Sequence, residues 1–343
     1  MKKKKKILII HTGGTFAMDL NEKGLLSPGE YIFEYINSTI TPLFEAEIVQ
    51  TSLFNIDSSL FRPLHWIKIS ELIDEVYDKF DGFVVVHGTD TMAYTASALS
   101  FMLKNLNKPV VLTGSQLPMK NHRSDAYQNL VDSIEVAMDS GLREVVVTFN
   151  HTVFRGNRVK KKDAWDFDAF YSPNYNSLVK LGIGMEKKLH RYLPKRNGVF
   201  DIDTRVHENV IIIPFYPGIN FSSFSVMIKE DKIKGIVIEA YGSGNIPSDN
   251  TGLVELFDEA SKKQIPIAVC SQSPIGKVNL SLYEAASQAD FYGLISAVDM
   301  TREATLVKMM IALGRYKKIQ KIKKFMLANI AGEKEDEDVR QST

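Results

Sequence analysis

The chain has 343 residues, of which 44% are apolar and 24% charged, so at about 150 residues per domain it can form two domains with separate cores. The 42 basic and 41 acidic residues leave a net charge of +1, which argues against a general nucleic-acid binder. A single cysteine, Cys270, excludes an internal disulfide and a cysteine-based zinc site, and it fits a reducing compartment.

The N-terminus begins with a lysine run, Lys2–Lys6, followed by only four apolar residues, Ile7–Ile10. That run is shorter than the roughly 7–15 residues of a secretory apolar segment. No stretch approaches the roughly 18 continuous apolar residues of a membrane span. We therefore expect a cytoplasmic protein with no membrane partner.

Short runs of Val and Ile that do not alternate with polar residues predict parallel strands buried on both faces. In chain order these runs are Ile7–Ile10, Phe83–Val86, Val110–Leu112, Val145–Thr148, Val210–Ile213, Gly235–Ile238 and Ile265–Val269. Amphipathic segments between them predict helices at His65–Tyr77, Thr91–Asn105, Ser124–Ser140, Leu253–Ser261, Tyr283–Ala289 and Glu303–Arg315. This alternation predicts an α/β protein with right-handed βαβ units and a doubly wound parallel sheet.

The chain between residues 151 and 209 interrupts this alternation, since it has few long apolar runs and many polar residues. We interpret residues 151–168 as a loop and residues 191–209 as a linker. The predicted domains are then a larger N-terminal one, residues 1–190, and a smaller C-terminal α/β one, residues 210–343. The acidic end of the chain, from Gly332 to Thr343, is predicted to be a solvated tail.

Strand-to-helix turns rich in Gly and Thr follow three of the predicted strands. Ile7 to Thr15 resembles Phe83 to Thr91, and Val110 to Gln116 is a looser third copy. Ligands of open α/β sheets bind beyond the carboxyl ends of the strands, where such turns lie. The candidate chemistry lies in the polar side chains of these turns, Thr12, Thr15, Thr89, Asp90, Thr91, Thr113 and Ser115, together with a cluster of lysines at 160–162.

Each of these side chains also has a structural interpretation, because Thr and Asp at such turns often cap helices and lysine runs are usually solvated. A threonine becomes a nucleophile only if a base takes its proton, which a desolvated lysine can do. The chain lacks the glycine signatures of dinucleotide and triphosphate sites, and its seven histidines show no metal-ligand spacing. We therefore expect neither a metal nor an organic cofactor.

Several motifs together resemble those of the asparaginase/glutaminase family, and are most similar to its cytoplasmic bacterial type I branch. They begin at Thr12 (TGGTF), His87 (HGTDTMAYT), Thr113 (TGSQLP), Arg123 (RSD), Arg155 (RGNR), Tyr241 (YGSGNIP), Gly276 (GKVN) and Asp299 (DMTREAT), and they cover nearly the whole chain. The HGTDTMAYT motif, at its distance after TGGT, is highly specific for this family. TGGT alone would be weak evidence for the resemblance.

The resemblance implies a role for each matching residue. Thr15 would attack the side-chain amide of L-asparagine and form a β-aspartyl ester, while Thr89 and Lys161 would handle protons. Asp90 would stand beside that pair and bind the α-ammonium group. The remaining substrate-binding residues that the resemblance implies are Asp57, Ser58, Ser115 and, from a neighbouring subunit, Asn245. Lys161 is chosen over Lys160 and Lys162 because the family's lysine is the third residue after Arg158.

The sequence departs from the family pattern at two positions. Leu25 occupies the position of a first-loop tyrosine that positions the nucleophile in many members, and Tyr31 is a possible substitute. Glu239 occupies the position of an arginine in relatives that bind a second, regulatory asparagine. We therefore expect the initial rate to depend hyperbolically on asparagine concentration, without activation by a second asparagine.

The resemblance implies a homodimer or homotetramer that hydrolyses L-asparagine, with L-glutamine as a weaker possible substrate. One alternative is the amidase subunit of a tRNA-dependent amidotransferase, which shares these motifs. We expect that subunit to carry an extra N-terminal module, whereas eleven residues precede Thr12 here. The other alternative is a non-catalytic amino-acid sensor on the same fold, in which Thr15 or Lys161 would be replaced.

Overall fold

The computed structural model describes residues 4–20, 26–28, 32–247, 250–281 and 290–335. The chain divides into two compact units, Met1–Thr204 and Arg205–Thr343. The division falls inside the predicted linker, residues 191–209. In the part of the chain that the structure describes, every helix is too short or too polar to cross a lipid bilayer.

The first unit is built on an eight-stranded mixed sheet. In chain order its strands are β1 Lys5–Gly13, β2 Ala46–Ile56, β3 Gly82–Val86, β4 Val110–Thr113, β5 Val145–Phe149, β6 Thr152–Arg155, β7 Val179–Leu181 and β8 Met185–Lys187. Their order across the sheet is β8-β7-β6-β5-β4-β3-β1-β2. The five strands from β2 to β5 are parallel, and β6, β7 and β8 add an antiparallel edge.

Helices cover both faces of this sheet, as predicted for a doubly wound fold. Alternate residues of β1 enter different cores, because successive side chains of a strand point to opposite faces. Leu8 and Ile10 pack with helices α1 (Pro63–Val76) and α2 (Met92–Met102). Ile7 and Ile9 pack with helix α3 (Ala126–Ala137) and with the helical segment 32–40. The α/β class and the N-terminal doubly wound sheet are confirmed.

Short elements connect these strands and helices. The helical turns are Thr15–Ala17, Ile32–Tyr35, Ile36–Ile40, Thr41–Leu43, Ser58–Leu60, Tyr77–Lys79, Gly156–Arg158 and Leu189–Arg191. Three two-stranded pairs join Met18–Leu20 to Leu26–Pro28, Leu103–Lys104 to Asp201–Ile202, and Lys160–Lys161 to Phe170–Tyr171.

Two parts of this unit differ from the sequence prediction. Strand β2 was not predicted because it lies at the sheet edge, pairs only with β1, and mixes polar with apolar residues. The predicted loop 151–168 contains β6 and Lys160–Lys161. The hairpin from β5 to β6 turns through Asn150 and His151, whose φ angles of 45° and 57° suit a two-residue turn.

The parallel strands have the order 2-1-3-4-5, which places a topological switch point between β1 and β3. The chain leaves β1 on one side to form β2, and it then passes to the other side of β1 to form β3. Loops at such a point diverge and leave a crevice at the carboxyl ends of the two strands. The segments that follow β1 and β3 contain Thr15, Thr89 and Asp90.

The second unit has a smaller sheet of four parallel strands in sequential order. These strands are β9 Val210–Pro214, β10 Gly235–Ala240, β11 Ile267–Ser271 and β12 Ile295–Ser296. Its helices are α4 Ser222–Lys229, α5 Thr251–Lys262, α6 Arg302–Arg315 and α7 Ile319–Leu327. The predicted helix Tyr283–Ala289 lies outside the described residues.

The predicted solvated tail was wrong for its first residues, because Glu333 is fully buried. Its carboxylate accepts a hydrogen bond of 2.5 Å from Nζ of Lys308 on α6, which is also fully buried. Lys308 donates to the carbonyl oxygens of Met326 and Ala328 as well. This pair holds the chain end against the unit, and the acidic composition alone did not reveal it. Residues 336–343 lie outside the described residues.

We expect Lys308→Met to lower the free energy of unfolding by about 3–5 kcal/mol, because it leaves the Glu333 carboxylate buried without a counter-charge. Urea titration measures this change. The matched control is Lys321→Met on α7, since Lys321 is exposed and makes no ion pair with any described residue. Equal stability of the two variants would contradict the prediction.

Candidate active site

The turns that follow β1, β2 and β3 meet at the switch point. Gly14 has φ +82°, and a Cβ built on it would lie 2.5 Å from Cα of Gly88. A Cβ on Gly88 would lie 2.5 Å from Oγ of Ser58, and the Thr91 hydroxyl donates to the Ser58 carbonyl oxygen at 2.8 Å. Only glycine permits such close approach of the backbones. These glycines thus bring the turns after β1, β2 and β3 together.

The two threonines of the first turn have different surroundings. The Thr12 hydroxyl is buried and donates to the Val86 carbonyl oxygen at 2.8 Å, which ties β1 to β3. Thr15 begins the helical turn after Gly14, is partly exposed, and its hydroxyl donates to no described residue. Of the two, Thr15 has the hydroxyl that is available to a substrate.

A lysine contacts both polar side chains of the turn after β3. Nζ of Lys161 lies 2.7 Å from Oγ1 of Thr89 and 2.7 Å from Oδ1 of Asp90. The next residue, Lys162, pairs with Asp168 instead. Pairing of Lys161 with Phe170 in the short hairpin fixes the direction of its side chain. The structure therefore places Lys161 beside Thr89, as the motif register implied.

The other predicted residues of the first unit lie in the adjoining turns. Asp57 is exposed and its carboxylate caps the next helical turn by accepting from the Ser59 N–H at 2.7 Å. Ser58 is buried against Gly88. Ser115 is buried as well, and its hydroxyl donates to the Leu117 carbonyl oxygen at 2.6 Å. That contact occupies the Ser115 proton, so substrate would meet this turn through its oxygen or its backbone.

Two residues of the quoted motifs were given no role by the sequence reasoning. The Gln116 side chain stands next to Thr89, whose hydroxyl lies 3.4 Å from its Oε1 atom. Asp125 accepts hydrogen bonds from the backbone N–H groups of Gln116 and Leu117 at 3.0–3.2 Å. Burial raises the pKa of Asp125, and these hydrogen bonds oppose that rise. The sequence signal that could have identified Gln116 and Asp125 is their presence in the motifs TGSQLP and RSD.

The arginines of RGNR have structural partners. Nε of Arg155 donates to the Glu144 carboxylate at 2.6 Å inside the protein, and its guanidinium also binds the Arg191 carbonyl oxygen. Arg158 is buried and lies over the Tyr175 ring. These contacts hold the segment that leads into and out of the Lys161 hairpin.

A buried histidine supports the turn after β3 from behind. Nδ1 of His87 is 2.7 Å from the Gly88 carbonyl oxygen and must donate to it, so Nε2 accepts from the Thr95 hydroxyl at 2.9 Å. The Thr95 oxygen in turn accepts from Nε1 of Trp66. Burial lowers the pKa of His87 to about 4, and it does the same for His11. Both imidazoles are therefore neutral in the folded protein near pH 7.

We expect the free energy of unfolding to fall as the pH drops from 6.5 to about 4, because the unfolded chain takes up protons at histidines that stay neutral in the fold. Each of His11 and His87 contributes about 3 kcal/mol to this loss. Urea titrations across this pH range measure the slope. Replacing His87 by Gln should flatten it, whereas the same change at exposed His122 should not. The same pH dependence of stability in His87→Gln and His122→Gln would contradict the prediction.

In the second unit, Asn245 lies in an exposed turn directly after β10. Its N–H donates to the Tyr241 carbonyl oxygen at 2.8 Å, and its side chain binds no described residue. Glu239 is the penultimate residue of β10 and is nearly buried, with its carboxylate 3.8 Å from the Arg302 guanidinium. A carboxylate thus occupies the position at which the resemblance expects a basic group.

If the chain hydrolyses asparagine as the resemblance implies, we expect initial rates to follow a hyperbola in asparagine concentration, because Glu239 repels the α-carboxylate that an arginine would bind. The measurement is an initial-rate curve from well below to well above KM. A Hill coefficient clearly above one would contradict this expectation.

The first-loop positions Leu25 and Tyr31 lie outside the described residues. Within the described ranges, no three His, Cys, Asp or Glu side chains are placed to hold a metal ion together.

Comparison with known proteins gives the same family over both units. The family model "Asparaginase, N-terminal" matches residues 6–193, and "Glutaminase/Asparaginase C-terminal domain" matches residues 209–326. L-asparaginase 1 of Escherichia coli K12 is 36% identical over 98% of this chain and 99% of its own length. One component of the glutamyl-tRNA(Gln) amidotransferase of Pyrococcus abyssi is 35% identical over 95% of this chain and 76% of its own length.

The solved structure of the thermostable L-asparaginase from Thermococcus kodakarensis superposes with a TM-score of 0.90 at 36% identity, covering 96% of this chain and 99% of that one. Two matched domain models and a relative above 30% identity over nearly its full length show the family of this chain. The chain belongs to the asparaginase family.

Proposed function

We propose that the protein is an L-asparagine amidohydrolase, which converts L-asparagine and water to L-aspartate and ammonia. The observation that carries the proposal is the position of Lys161. Its ammonium group contacts Thr89 and Asp90 at 2.7 Å each. The neighbouring turn after β1 carries the Thr15 hydroxyl, which donates to no described residue. A threonine nucleophile needs a proton acceptor, and the amine of Lys161 in its neutral form would supply one.

In the proposed reaction the Thr15 oxygen attacks the side-chain amide carbon. The Thr15 proton passes to the leaving nitrogen, ammonia departs, and a β-aspartyl ester remains on Thr15. Water then attacks the ester carbonyl carbon, and its proton passes through Thr89 and Lys161 to the Thr15 oxygen as the ester bond breaks. This step releases L-aspartate and restores the Thr15 hydroxyl. Backbone N–H groups of the glycine turns would stabilise the oxyanion, with about 3–4 kcal/mol expected from each donor.

Substrate would be held by its α-amino and α-carboxylate groups. Asp90 has a second carboxylate oxygen beside the one that meets Lys161, and it can accept from the α-ammonium group. Asp57 and Ser58 lie in the turn after β2 and would contact the backbone of the amino acid, and Ser115 in the turn after β4 would line the pocket. Asn245 of a neighbouring subunit would complete the site in a homodimer or homotetramer. The reaction needs neither a metal nor an organic cofactor, and we place it in the cytoplasm.

A second candidate is amide hydrolysis within a tRNA-dependent amidotransferase, because a component of such an enzyme is among the relatives. The near-neutral charge of the chain argues against direct tRNA binding. A non-catalytic sensor is disfavoured because Thr15, Thr89 and Lys161 are all present. Glutamine remains a possible weaker substrate.

The test is release of ammonia and aspartate from L-asparagine by the purified protein after dialysis against EDTA, with L-glutamine in parallel. We expect equal amounts of both products from asparagine without added metal or nucleotide. Ammonia release that required a partner protein and misacylated tRNA would favour the second candidate. Binding without turnover would favour the sensor.

A further inference from the structure

The Gln116 side chain connects the Thr89 hydroxyl to the loop that follows Lys161. Its Oε1 atom faces Oγ1 of Thr89 at 3.4 Å. Its Nε2 atom donates to the carbonyl oxygen of Asp166 at 2.9 Å and lies 3.5 Å from that of Asp163. Both carbonyls belong to the loop between the paired strands Lys160–Lys161 and Phe170–Tyr171.

These contacts fix which end of the amide faces Thr89. Rotating the amide by half a turn would place its oxygen against two carbonyl oxygens and leave those acceptors without a donor. The backbone of Gln116 is also held, because its N–H donates to Asp125. Gln116 therefore presents an acceptor, and not a donor, to the Thr89 hydroxyl.

This orientation determines where the Thr89 proton points. Nζ of Lys161 donates to the Thr89 oxygen at 2.7 Å, so the hydroxyl needs a different acceptor for its own proton. Gln116 Oε1 is that acceptor. In this arrangement the Thr89 oxygen accepts from Lys161 while its proton points to Gln116, so the hydroxyl is held in one orientation.

Gln116 also holds the loop that follows Lys161. Asp163 follows Lys161 by two residues, and its carboxylate closes the loop by accepting from the N–H groups of Trp165 and Asp166 at 2.7 and 2.8 Å. The amide of Gln116 fastens this closed loop to the turn after β4. It thereby keeps the Lys161 ammonium at a fixed distance from Thr89.

We propose that Gln116 is a positioning residue, which orients the Thr89 hydroxyl and holds the Lys161 hairpin against it. The proposal rests on the proposed function. It adds a residue that acts through Thr89 and Lys161 and does not bind the substrate itself. Its loss should therefore reduce kcat and leave KM nearly unchanged, because proton transfer depends on the relative placement of these groups.

The experiment compares Gln116→Met and Gln116→Glu with the wild type in the asparagine assay across pH. Met keeps the side-chain length and removes both hydrogen-bonding ends. We expect kcat to fall at least tenfold with KM within threefold. Glu keeps an acceptor towards Thr89 and adds a negative charge near Lys161. We expect the acidic limb of its kcat profile to move to higher pH, a shift that Met should not produce.

The control is Gln128→Met on the far side of α3, where the same change removes only a contact with Asp132. Thermal unfolding of each variant shows whether the fold is retained. A Gln116→Met enzyme within twofold of the wild type, a rise in KM at constant kcat, or an unmoved acidic limb in Gln116→Glu would each overturn the proposal. An inactive wild type would instead overturn the proposed function.

Discussion

Replacing Thr15 by Val should abolish ammonia release from asparagine, with a loss in kcat of about 10⁴-fold or more. Valine keeps the β-branched shape and removes a hydroxyl at the switch point that donates to no described residue. The measurement is the single-turnover rate with asparagine, together with circular dichroism to verify the fold. Thr15→Ser should retain measurable turnover, because serine supplies a primary hydroxyl at the same position.

Thr12 provides the matched control for this experiment. Its hydroxyl donates to the Val86 carbonyl oxygen inside the protein, so Thr12→Val should lower stability by about 1–3 kcal/mol while activity persists. If Thr12→Val were inactive and Thr15→Val active, the nucleophile would be misassigned.

Lys161→Met should lower kcat by about 10³-fold or more at neutral pH, and Thr89→Val should have a similar effect. The two side chains form one hydrogen-bonded pair at 2.7 Å, so loss of either member breaks the path of the proton. Because the groups act as a unit, the double variant should be little worse than either single one. Steady-state kinetics of the three variants measure this non-additivity.

The control is Lys162→Met, which removes a neighbouring ammonium group whose partner is Asp168. It should stay close to wild-type activity. Inactive Lys162→Met with active Lys161→Met would show that the hairpin register is shifted by one residue. Effects of Lys161→Met and Thr89→Val that multiply in the double variant would contradict the coupled pair.

The sequence predicted those parts of the fold that are buried on both faces. Val110–Leu112 and Val145–Thr148 are uninterrupted apolar runs because neighbouring strands and helices surround them. Strand β2 could not be recognised in the same way, since a strand at the sheet edge is partly exposed and carries polar residues. The burial of Glu333 was missed because it depends on Lys308, a residue distant in sequence.

The residues of the candidate site were likewise predictable only in part. Motif matches indicated Thr15, Thr89, Asp90 and Lys161, and the structure brings the last three into contact. The link through Gln116 was not predictable, because it joins residues separated by 27 and 50 positions and depends on the orientation of one amide. The roles of Leu25 and Asn245 remain predictions of the sequence.

Covalent labelling of Thr15 during turnover tests the central claim most directly. The wild-type enzyme is mixed with asparagine, quenched with acid within a turnover, digested and analysed by mass spectrometry. We predict an aspartyl group on the peptide that contains Thr15, absent from Thr15→Val. An aspartyl group on Thr89, or an active enzyme that stays unlabelled at every quench time, would contradict the account.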